Sequence, residues 1–195
     1  ALADFAPGKR VLDLGSGPTA ILSMLARRHG ASEVTALEAD SEAAAVAKET
    51  IHQNGLDVTV LQGVSSGKAV DTSPEVIVTE IFGVKLLGEG AAAFIPDALR
   101  RFNQTAKVIP QGGCQFVTVV GMREGFESPF NTRYPGKLDH FSLSIKNADL
   151  KLEPLSERIC VMEIDFADPN ATEQFERPEP VARTFVPKKD GVAIG

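Results

Sequence analysis

The length, composition and charge of the chain already exclude several classes of protein. Its 195 residues, 43% of them hydrophobic and 24% charged, are enough for a sizeable folded core. The formal net charge of −6 argues against binding to nucleic acid or to an anionic membrane surface, since both require a basic face. No apolar run is long enough for a transmembrane helix, so we expect no membrane partner.

The cysteine content and the chain ends give two further expectations. Cys114 and Cys160 offer neither a disulfide framework nor the spacing of metal ligands. We therefore expect a reducing, cytoplasmic compartment and no bound metal. The sequence begins without methionine and ends at 193–195 in what reads as the middle of a strand, so we expect it to be a piece of a longer protein.

The first half of the chain alternates short apolar segments with segments of helical periodicity. This order is typical of a parallel sheet covered by helices on both faces. Ser41 is the predicted N-cap of the second helix, and Gly55 ends that helix. The predicted strands are 10–14, 33–38, 57–62 and 75–80, and the predicted helices are 20–28, 42–54 and 91–104.

The pattern changes after the segment Pro110-Gln111-Gly112-Gly113. Apolar and polar residues then alternate, as in antiparallel strands with one buried face, and no helical period is found. The predicted strands are 114–120, 139–145, 158–166 and 181–186. We therefore expect an α/β protein with two domains, a Rossmann-like domain over 1–112 and a β-rich domain over 113–195.

A strand, a glycine turn and a helix start follow one another early in the chain. Gly15 and Gly17 let the backbone approach a ligand closely, and the free N–H groups at the helix start face that ligand. With Ala20 they satisfy the dinucleotide fingerprint G-x-G-x-x-G/A, and Glu38 lies near the distance expected for a ribose-binding acid. Asp13 argues against a dinucleotide, because a carboxylate there repels a pyrophosphate but suits a cationic ligand such as S-adenosylmethionine. The loop residues alone leave both cofactors open.

A second pair of acids follows further along the chain. Glu80 ends the fourth predicted strand, at the carboxyl edge of the sheet where ligands of such folds bind. Glu89 follows after a loop in which Gly83 and Gly88 allow the backbone to fold back. Each acid alone is typical of a strand end or a helix N-terminus. As a pair, they predict two carboxylates in one pocket.

The order of these features resembles the class I methyltransferases and, among them, the protein arginine methyltransferases. The family motif D-x-G-x-G-x-G is met at Asp13, Gly15 and Gly17, and Thr19 stands in place of the third glycine. The resemblance implies a Rossmann-like parallel sheet followed by an antiparallel, β-barrel-like unit. It also implies that S-adenosylmethionine is bound by residues of the first domain, namely Asp13, Gly15, Ser16, Gly17, Glu38, Val64 and Ser65.

The loop after the fourth strand carries the second part of the resemblance. Glu80 and Glu89 are spaced as in the double-glutamate loop of that family, which implies that both are catalytic. The run Leu-Leu-Gly-Glu-Gly-Ala at 86–91 looks most like the members that make only monomethylarginine. Two carboxylates can hold a guanidinium, orient it and draw its positive charge away from the attacking nitrogen. The resemblance therefore implies methyl transfer to arginine in a protein or peptide, with a small guanidine as the other acceptor.

Two other functions stay open at this point. An NAD-dependent oxidoreductase would fit the G-x-G-x-x-A match. A catalytically incomplete, methyltransferase-like binding module would fit a departure from the family, because the chain has no tryptophan and so lacks the family's Thr-His-Trp loop. A homodimer is compatible with the methyltransferase hypotheses, and no nucleic-acid partner is expected.

Overall fold

The structure is a computed structural model that describes residues 1–67, 72–83, 86–122, 152–168, 170, 182, 184–188 and 193–194. The first part of the chain alternates helices and strands. In order these are α1 (Leu2–Phe5), β1 (Arg10–Leu14), α2 (Ile21–Arg28), β2 (Glu33–Glu38), α3 (Ser41–Gln53), β3 (Thr59–Gln62), β4 (Val76–Thr79), α4 (Ala91–Phe102) and β5 (Lys107–Ile109). The later elements are strands, β6 (Gly112–Val117), β7 (Val120–Met122), β8 (Leu152–Pro154), β9 (Ile159–Asp165) and β10 (Ala193–Ile194).

The first five strands form one parallel sheet in the order β3-β2-β1-β4-β5. The chain runs outward from β1 in one direction through β2 and β3 and then resumes on the other side with β4. Ligands of open α/β sheets bind at such a reversal of strand order, beyond the carboxyl ends of the strands. At that edge Leu14 lies beside Leu37 of β2 and Thr79 of β4. The sheet therefore brings together the loops that follow β1, β2 and β4.

Alternate side chains of the central strands pack into different layers, as the two-residue period of a strand requires. Leu12 and Leu14 join a cluster that includes Ile95 and Leu99 of α4. Val11 belongs to a second cluster, which also contains Val76 and Val78 of β4 and Ala26 of α2. The predicted α/β arrangement, with helices packed against a parallel sheet, is confirmed.

Several predicted elements coincide with the observed ones. The bounds of β1 and β2 are those predicted, and the helices α2, α3 and α4 lie within a residue or two of their predicted ranges. The predicted cap of α3 is wrong. Asp40 has the extended conformation of an N-cap and its Oδ1 accepts a hydrogen bond of 2.8 Å from the Ala43 N–H, while Ser41 is already helical. An aspartate one residue earlier therefore satisfies the free N–H that Ser41 was expected to bind.

Two elements of the first part were not predicted. The helix α1 has 4 residues and the strand β5 has 3, too few to show a hydrophobic period. The position of β5 depends on tertiary pairing, because Val108 and Ile109 lie beside Ile77 and Val78 of β4.

The chain divides into two compact units, Ala1–Cys114 with Glu163–Glu179 and Gln115–Met162 with Pro180–Gly195. In the later region β7 pairs antiparallel with β8 and with β10, and β6 pairs with β9. The predicted antiparallel character is thus confirmed, while the barrel stays a prediction. The domain boundary between 112 and 113 also stays a prediction, since compact units need not be independently folding domains.

The predicted strands of the later region have mixed outcomes. The segment 114–120 is divided between β6 and β7, and 158–166 corresponds to β9. The segment 139–145 lies outside the described residues. The described residues of 181–186 form no strand. The next residue, Pro187, forms an isolated bridge with Ser156, and proline has no N–H that could extend a ladder of hydrogen bonds.

No helix of the described ranges combines the length and the apolar character needed to cross a membrane.

Candidate active site

A cavity of about 850 Å³ opens at the carboxyl edge of the parallel sheet. The residues around it come from the ends of β1, β2 and β4 and from the loop after β3. They include the residues predicted for cofactor binding and catalysis apart from Asp13, namely Gly15, Ser16, Gly17, Glu38, Val64, Ser65, Glu80 and Glu89. The structure therefore brings both predicted groups to one site, although their roles remain predictions.

The glycine loop approaches the cavity with little room for side chains. Gly15 has φ +74°, and a Cβ atom placed there would lie 2.5 Å from Cγ2 of Ile81. Gly17 also has a positive φ, of +63°. A further left-handed residue is Ala20, with φ 44° at the start of α2. Ala20, and not Thr19, therefore has the backbone conformation that favours glycine.

Glu38 connects the glycine loop to the end of β2. Its Oε2 accepts a hydrogen bond of 2.8 Å from the Gly17 N–H, and its Oε1 accepts one of 2.9 Å from the Asp40 N–H. Each carboxylate oxygen has further acceptor capacity, so these bonds leave room for hydroxyl donors of a ligand. Glu38 can thus fix the loop and bind a ribose at the same time.

Asp13 is packed behind the loop and does not line the cavity. It is 1% exposed, and its Oδ2 accepts hydrogen bonds from the N–H (2.9 Å) and the hydroxyl (2.6 Å) of Ser23 in α2. Its Oδ1 has no hydrogen-bond partner among the described residues. Burial raises the pKa of Asp13 to about 6, against the lowering effect of the Ser23 bonds. Ser23, which fixes the orientation of Asp13, was not predicted as a site residue, because its distance from Asp13 is set by the turn between them.

Glu80 and Glu89 are exposed residues on the loop that follows β4. That loop folds back on itself, since a Cβ atom on Gly83 would lie 3.3 Å from Cγ of Glu89 and 3.3 Å from Cα of Gly88. Gly83 thus allows the close approach that brings Glu89 to the cavity. Neither glutamate forms a salt bridge with a described residue, which leaves both carboxylates available for a cation.

Hydrophobic contacts hold this loop against the core. Phe82 packs on Phe166 with 5.4 Å between ring centroids and 34° between ring planes. Ile81, Leu86 and Leu87 are partly buried against the same cluster. At the base of the loop, the hydroxyl of Thr79 donates a hydrogen bond of 2.6 Å to the Leu14 carbonyl. The two strand ends that carry the site are therefore joined by a buried hydrogen bond.

Two serine side chains line the cavity with buried hydroxyl groups. Ser16 and Ser65 are buried, and neither Oγ atom has a hydrogen-bond partner among the residues that the structure describes. A buried polar atom without a partner is uncommon in a native fold and is costly unless a ligand or water satisfies it. Within the described ranges, no group of His, Cys, Asp and Glu side chains could hold a metal ion.

Comparison with known proteins identifies a family whose model matches this chain. Residues 3–112 match the family model described as ribosomal protein L11 methyltransferase (PrmA). Protein arginine N-methyltransferase 7 of Aedes aegypti is 38% identical over 120 residues, which cover 56% of this chain and 17% of that protein. The chain therefore spans about a sixth of the length of this curated relative.

Solved structures give the same class of fold. The Trypanosoma brucei PRMT1 enzyme-prozyme heterotetrameric complex with AdoHcy matches 85% of this chain and 55% of its own, with a TM-score of 0.70 and 21% identity. Protein arginine methyltransferase 10 of Arabidopsis thaliana, in an open conformation, matches 62% of this chain and 34% of its own, with a TM-score of 0.54 and 27% identity.

The parallel sheet, the glycine loop and the match over 3–112 define a class I methyltransferase, and the chain belongs to the family that this model describes. Within that class, the chain is similar to protein arginine methyltransferases.

Proposed function

We propose that this chain is the catalytic part of an enzyme that transfers a methyl group from S-adenosylmethionine to a guanidino nitrogen of arginine. The observation that carries the proposal is the cavity itself. Glu80 and Glu89 line the same space as the glycine loop and Glu38, so a methyl donor and a guanidinium can lie side by side.

The cofactor residues are assigned by their position around the cavity. Glu38 binds the ribose hydroxyls, while Gly15, Ser16 and Gly17 surround the amino-acid part of the cofactor. Val64 and Ser65, in the loop after β3, bind the adenine. Asp13 acts from behind the loop, where its negative charge favours a cationic ligand.

S-adenosylmethionine, when bound, supplies a methyl group on a positively charged sulfur. The two glutamates act on the acceptor. A guanidinium, with a pKa above about 12, has its nitrogen lone pairs delocalised and presents N–H donors in a fixed plane. Carboxylates that accept those N–H groups orient one terminal nitrogen towards the methyl carbon and attract the positive charge away from it. The released proton passes from the methylated nitrogen to one of the glutamates, directly or through water.

The acceptor is arginine in a protein or peptide, as the names of the relatives support. A small guanidine is the alternative acceptor. The residues 86–91 favour a product with one methyl group, through their resemblance to the monomethylating type. A cytoplasmic location and a homodimer belong to the same proposal. No observation on the described residues favours the NAD-dependent oxidoreductase or the inactive binding module.

The experiment that tests the proposal uses the protein that contains this chain, with Glu80→Gln and Glu89→Gln as variants. Glutamine keeps the size of the side chain and removes its charge. Removal of one partner from a desolvated charge pair typically costs about 2–5 kcal/mol, so we expect each variant to lose more than tenfold in methyl transfer to an arginine peptide. Adenosylhomocysteine affinity, measured by calorimetry, should stay within about twofold of the wild type.

A matched control is Glu33→Gln, since Glu33 is an exposed acid at the far end of β2. Near-normal methyl transfer by Glu80→Gln would refute the assigned role of the pair. Calorimetric binding of NAD without binding of adenosylhomocysteine would favour the oxidoreductase.

A further inference from the structure

The residues on either side of Glu80 are both attached to the end of β1. The Thr79 hydroxyl donates a hydrogen bond of 2.6 Å to the carbonyl of Leu14, the last residue of β1. Ile81 lies against the following residue of that segment, because a Cβ atom on Gly15 would lie 2.5 Å from Cγ2 of Ile81. Two consecutive residues therefore hold the chain before and after this glutamate.

These two contacts connect the two sides of the candidate active site. Gly15 belongs to the loop that is assigned to the cofactor, and Glu80 is assigned to the acceptor. Leu14 and Thr79 are direct neighbours on adjacent parallel strands, so the hydrogen bond joins the two loops at the point where each begins. The position of one loop thus depends on the position of the other.

The hydrogen bond of Thr79 is buried and well defined. Thr79 is 2% exposed and Leu14 is 4% exposed, so water has little access to either group. A buried acceptor that loses its donor is costly, which favours a geometry that keeps the bond. Threonine is also stiff at χ1, because its Cβ atom is branched. The bond therefore restrains the backbone immediately before Glu80.

We propose that Thr79 and Ile81 are positioning residues that set the distance between Glu80 and the methyl donor. This inference rests on the proposed function, in which Glu80 holds the guanidinium. Methyl transfer requires the attacking nitrogen to lie about 3–3.5 Å from the methyl carbon and in line with the bond that breaks. A displaced glutamate misplaces that nitrogen, and a misplacement of about 1 Å can cost about 100-fold in rate.

The sequence alone does not indicate these two roles. Thr79 reads as a β-branched residue at the end of a strand, and Ile81 reads as an apolar residue of the loop that follows. Their contacts exist because β4 lies directly beside β1, although β2 and β3 come between these strands along the chain.

The test uses the protein that contains this chain, with an arginine peptide as the acceptor. Thr79→Val keeps the branched shape of the side chain and removes the hydroxyl. We expect kcat for methyl transfer to fall by about tenfold, while KM for the peptide and the affinity for adenosylhomocysteine stay within about twofold of the wild type. Thr79→Ser keeps a hydroxyl donor and should recover at least about half of the wild-type kcat.

A double substitution shows whether the hydrogen bond acts through Glu80. Residues that act as a unit have non-additive effects on rate, whereas independent effects multiply. Adding Thr79→Val to Glu80→Gln should therefore lower the residual kcat by no more than about twofold. General loss of stability would instead lower kcat by the same factor in both backgrounds.

Two further variants complete the experiment. Ile81→Ala removes the side-chain atoms that lie against Gly15, and we expect it to lower kcat by about threefold to tenfold. It provides the test if Thr79→Val does not fold. Thr59→Val is the matched control, because Thr59 is an exposed residue at the start of β3, and it should keep the wild-type kcat.

The outcomes separate the inference from the proposed function. Near-normal methyl transfer by Glu80→Gln would overturn both. Loss of activity in Glu80→Gln together with wild-type kcat in Thr79→Val and Ile81→Ala would overturn the inference alone. A further loss of about tenfold when Thr79→Val is added to Glu80→Gln would also overturn it, since the hydrogen bond would then act on another part of the site.

Discussion

At the scale of single residues, Glu38 has one observed role in the glycine loop and one proposed role in cofactor binding. It holds the glycine loop through the Gly17 N–H and is assigned to the ribose of the cofactor. We expect Glu38→Ala to weaken adenosylhomocysteine binding by about 1.5–3 kcal/mol, the range for hydrogen bonds to charged groups. Calorimetry measures this, and Glu33→Ala, at the other end of β2, should bind as the wild type does. An unchanged affinity in Glu38→Ala would remove Glu38 from the binding site.

The buried carboxyl group of Asp13 leads to a prediction about how the free energy of unfolding depends on pH. Its pKa is about 6 in the folded protein, above the value of about 3.9 in an unfolded chain, because burial disfavours the charged form. The protonated form of Asp13 therefore favours the folded state. This contribution to the free energy of unfolding is complete below about pH 4 and is lost as the pH rises through about 6. Without ligand, Asp13→Asn should therefore be more stable than the wild type at pH 7.5, by up to about 3 kcal/mol, and the difference should vanish near pH 4.

Denaturant unfolding at a series of pH values, with ligand absent, checks this expectation. The asparagine can still accept the two bonds that Ser23 donates to Asp13. A variant that is less stable than the wild type at every pH would show that burial of the Asp13 charge does not reduce the free energy of unfolding at neutral pH. Asp4→Asn is a suitable control, since the Asp4 side chain is 74% exposed.

At the scale of elements, the local sequence predicts the bounds of the short strands more accurately than it predicts the residue that caps a helix. The strands β1 and β2 are apolar runs ended by glycine or acid, and their bounds were predicted correctly. The predicted N-cap of α3 was misplaced by one residue. Asp40 and Ser41 are both residue types that favour the N-cap position, but Asp40 has the extended backbone conformation of a cap and Ser41 is already helical. Sequence patterns therefore locate an element better than they locate the side chain that begins it.

The loop from β4 to α4 is the element on which the proposed chemistry depends. A methyl group on Gly83 would approach Cα of Gly88 and Cγ of Glu89 to 3.3 Å, closer than ordinary contact, and the backbone must shift by a few tenths of an ångström. Misplacement by about 1 Å can cost 100-fold in rate, so we expect Gly83→Ala to reduce kcat for methyl transfer by about tenfold. Adenosylhomocysteine affinity is the internal control and should not change. Wild-type kcat would show that the loop tolerates the displacement.

At the scale of the whole molecule, a late segment completes the core of the first unit. Phe166 is 0% exposed and packs on Phe82, although the two are far apart in sequence. We expect Phe166→Ala to lower the free energy of unfolding by about 3–5 kcal/mol, as for other fully buried phenylalanines. Denaturant unfolding measures it.

Phe116→Ala is the matched control, because Phe116 is 44% exposed and packs under the guanidinium of Arg158. Its loss should cost no more than about 1 kcal/mol, the value of an exposed cation–π contact. Equal effects of the two substitutions would mean that the late segment adds little to the core of the first unit.

The sequence by itself determined the class of fold and the chemical groups of the site. The apolar runs, the glycine turn and the two glutamates are local features, because each depends on neighbours along the chain. Only the tertiary structure decided that Phe166 joins the first core and that Ser23 holds Asp13. These contacts join residues brought together by strand order and by the packing of a helix or loop on the sheet, and no periodicity along the chain encodes such distances.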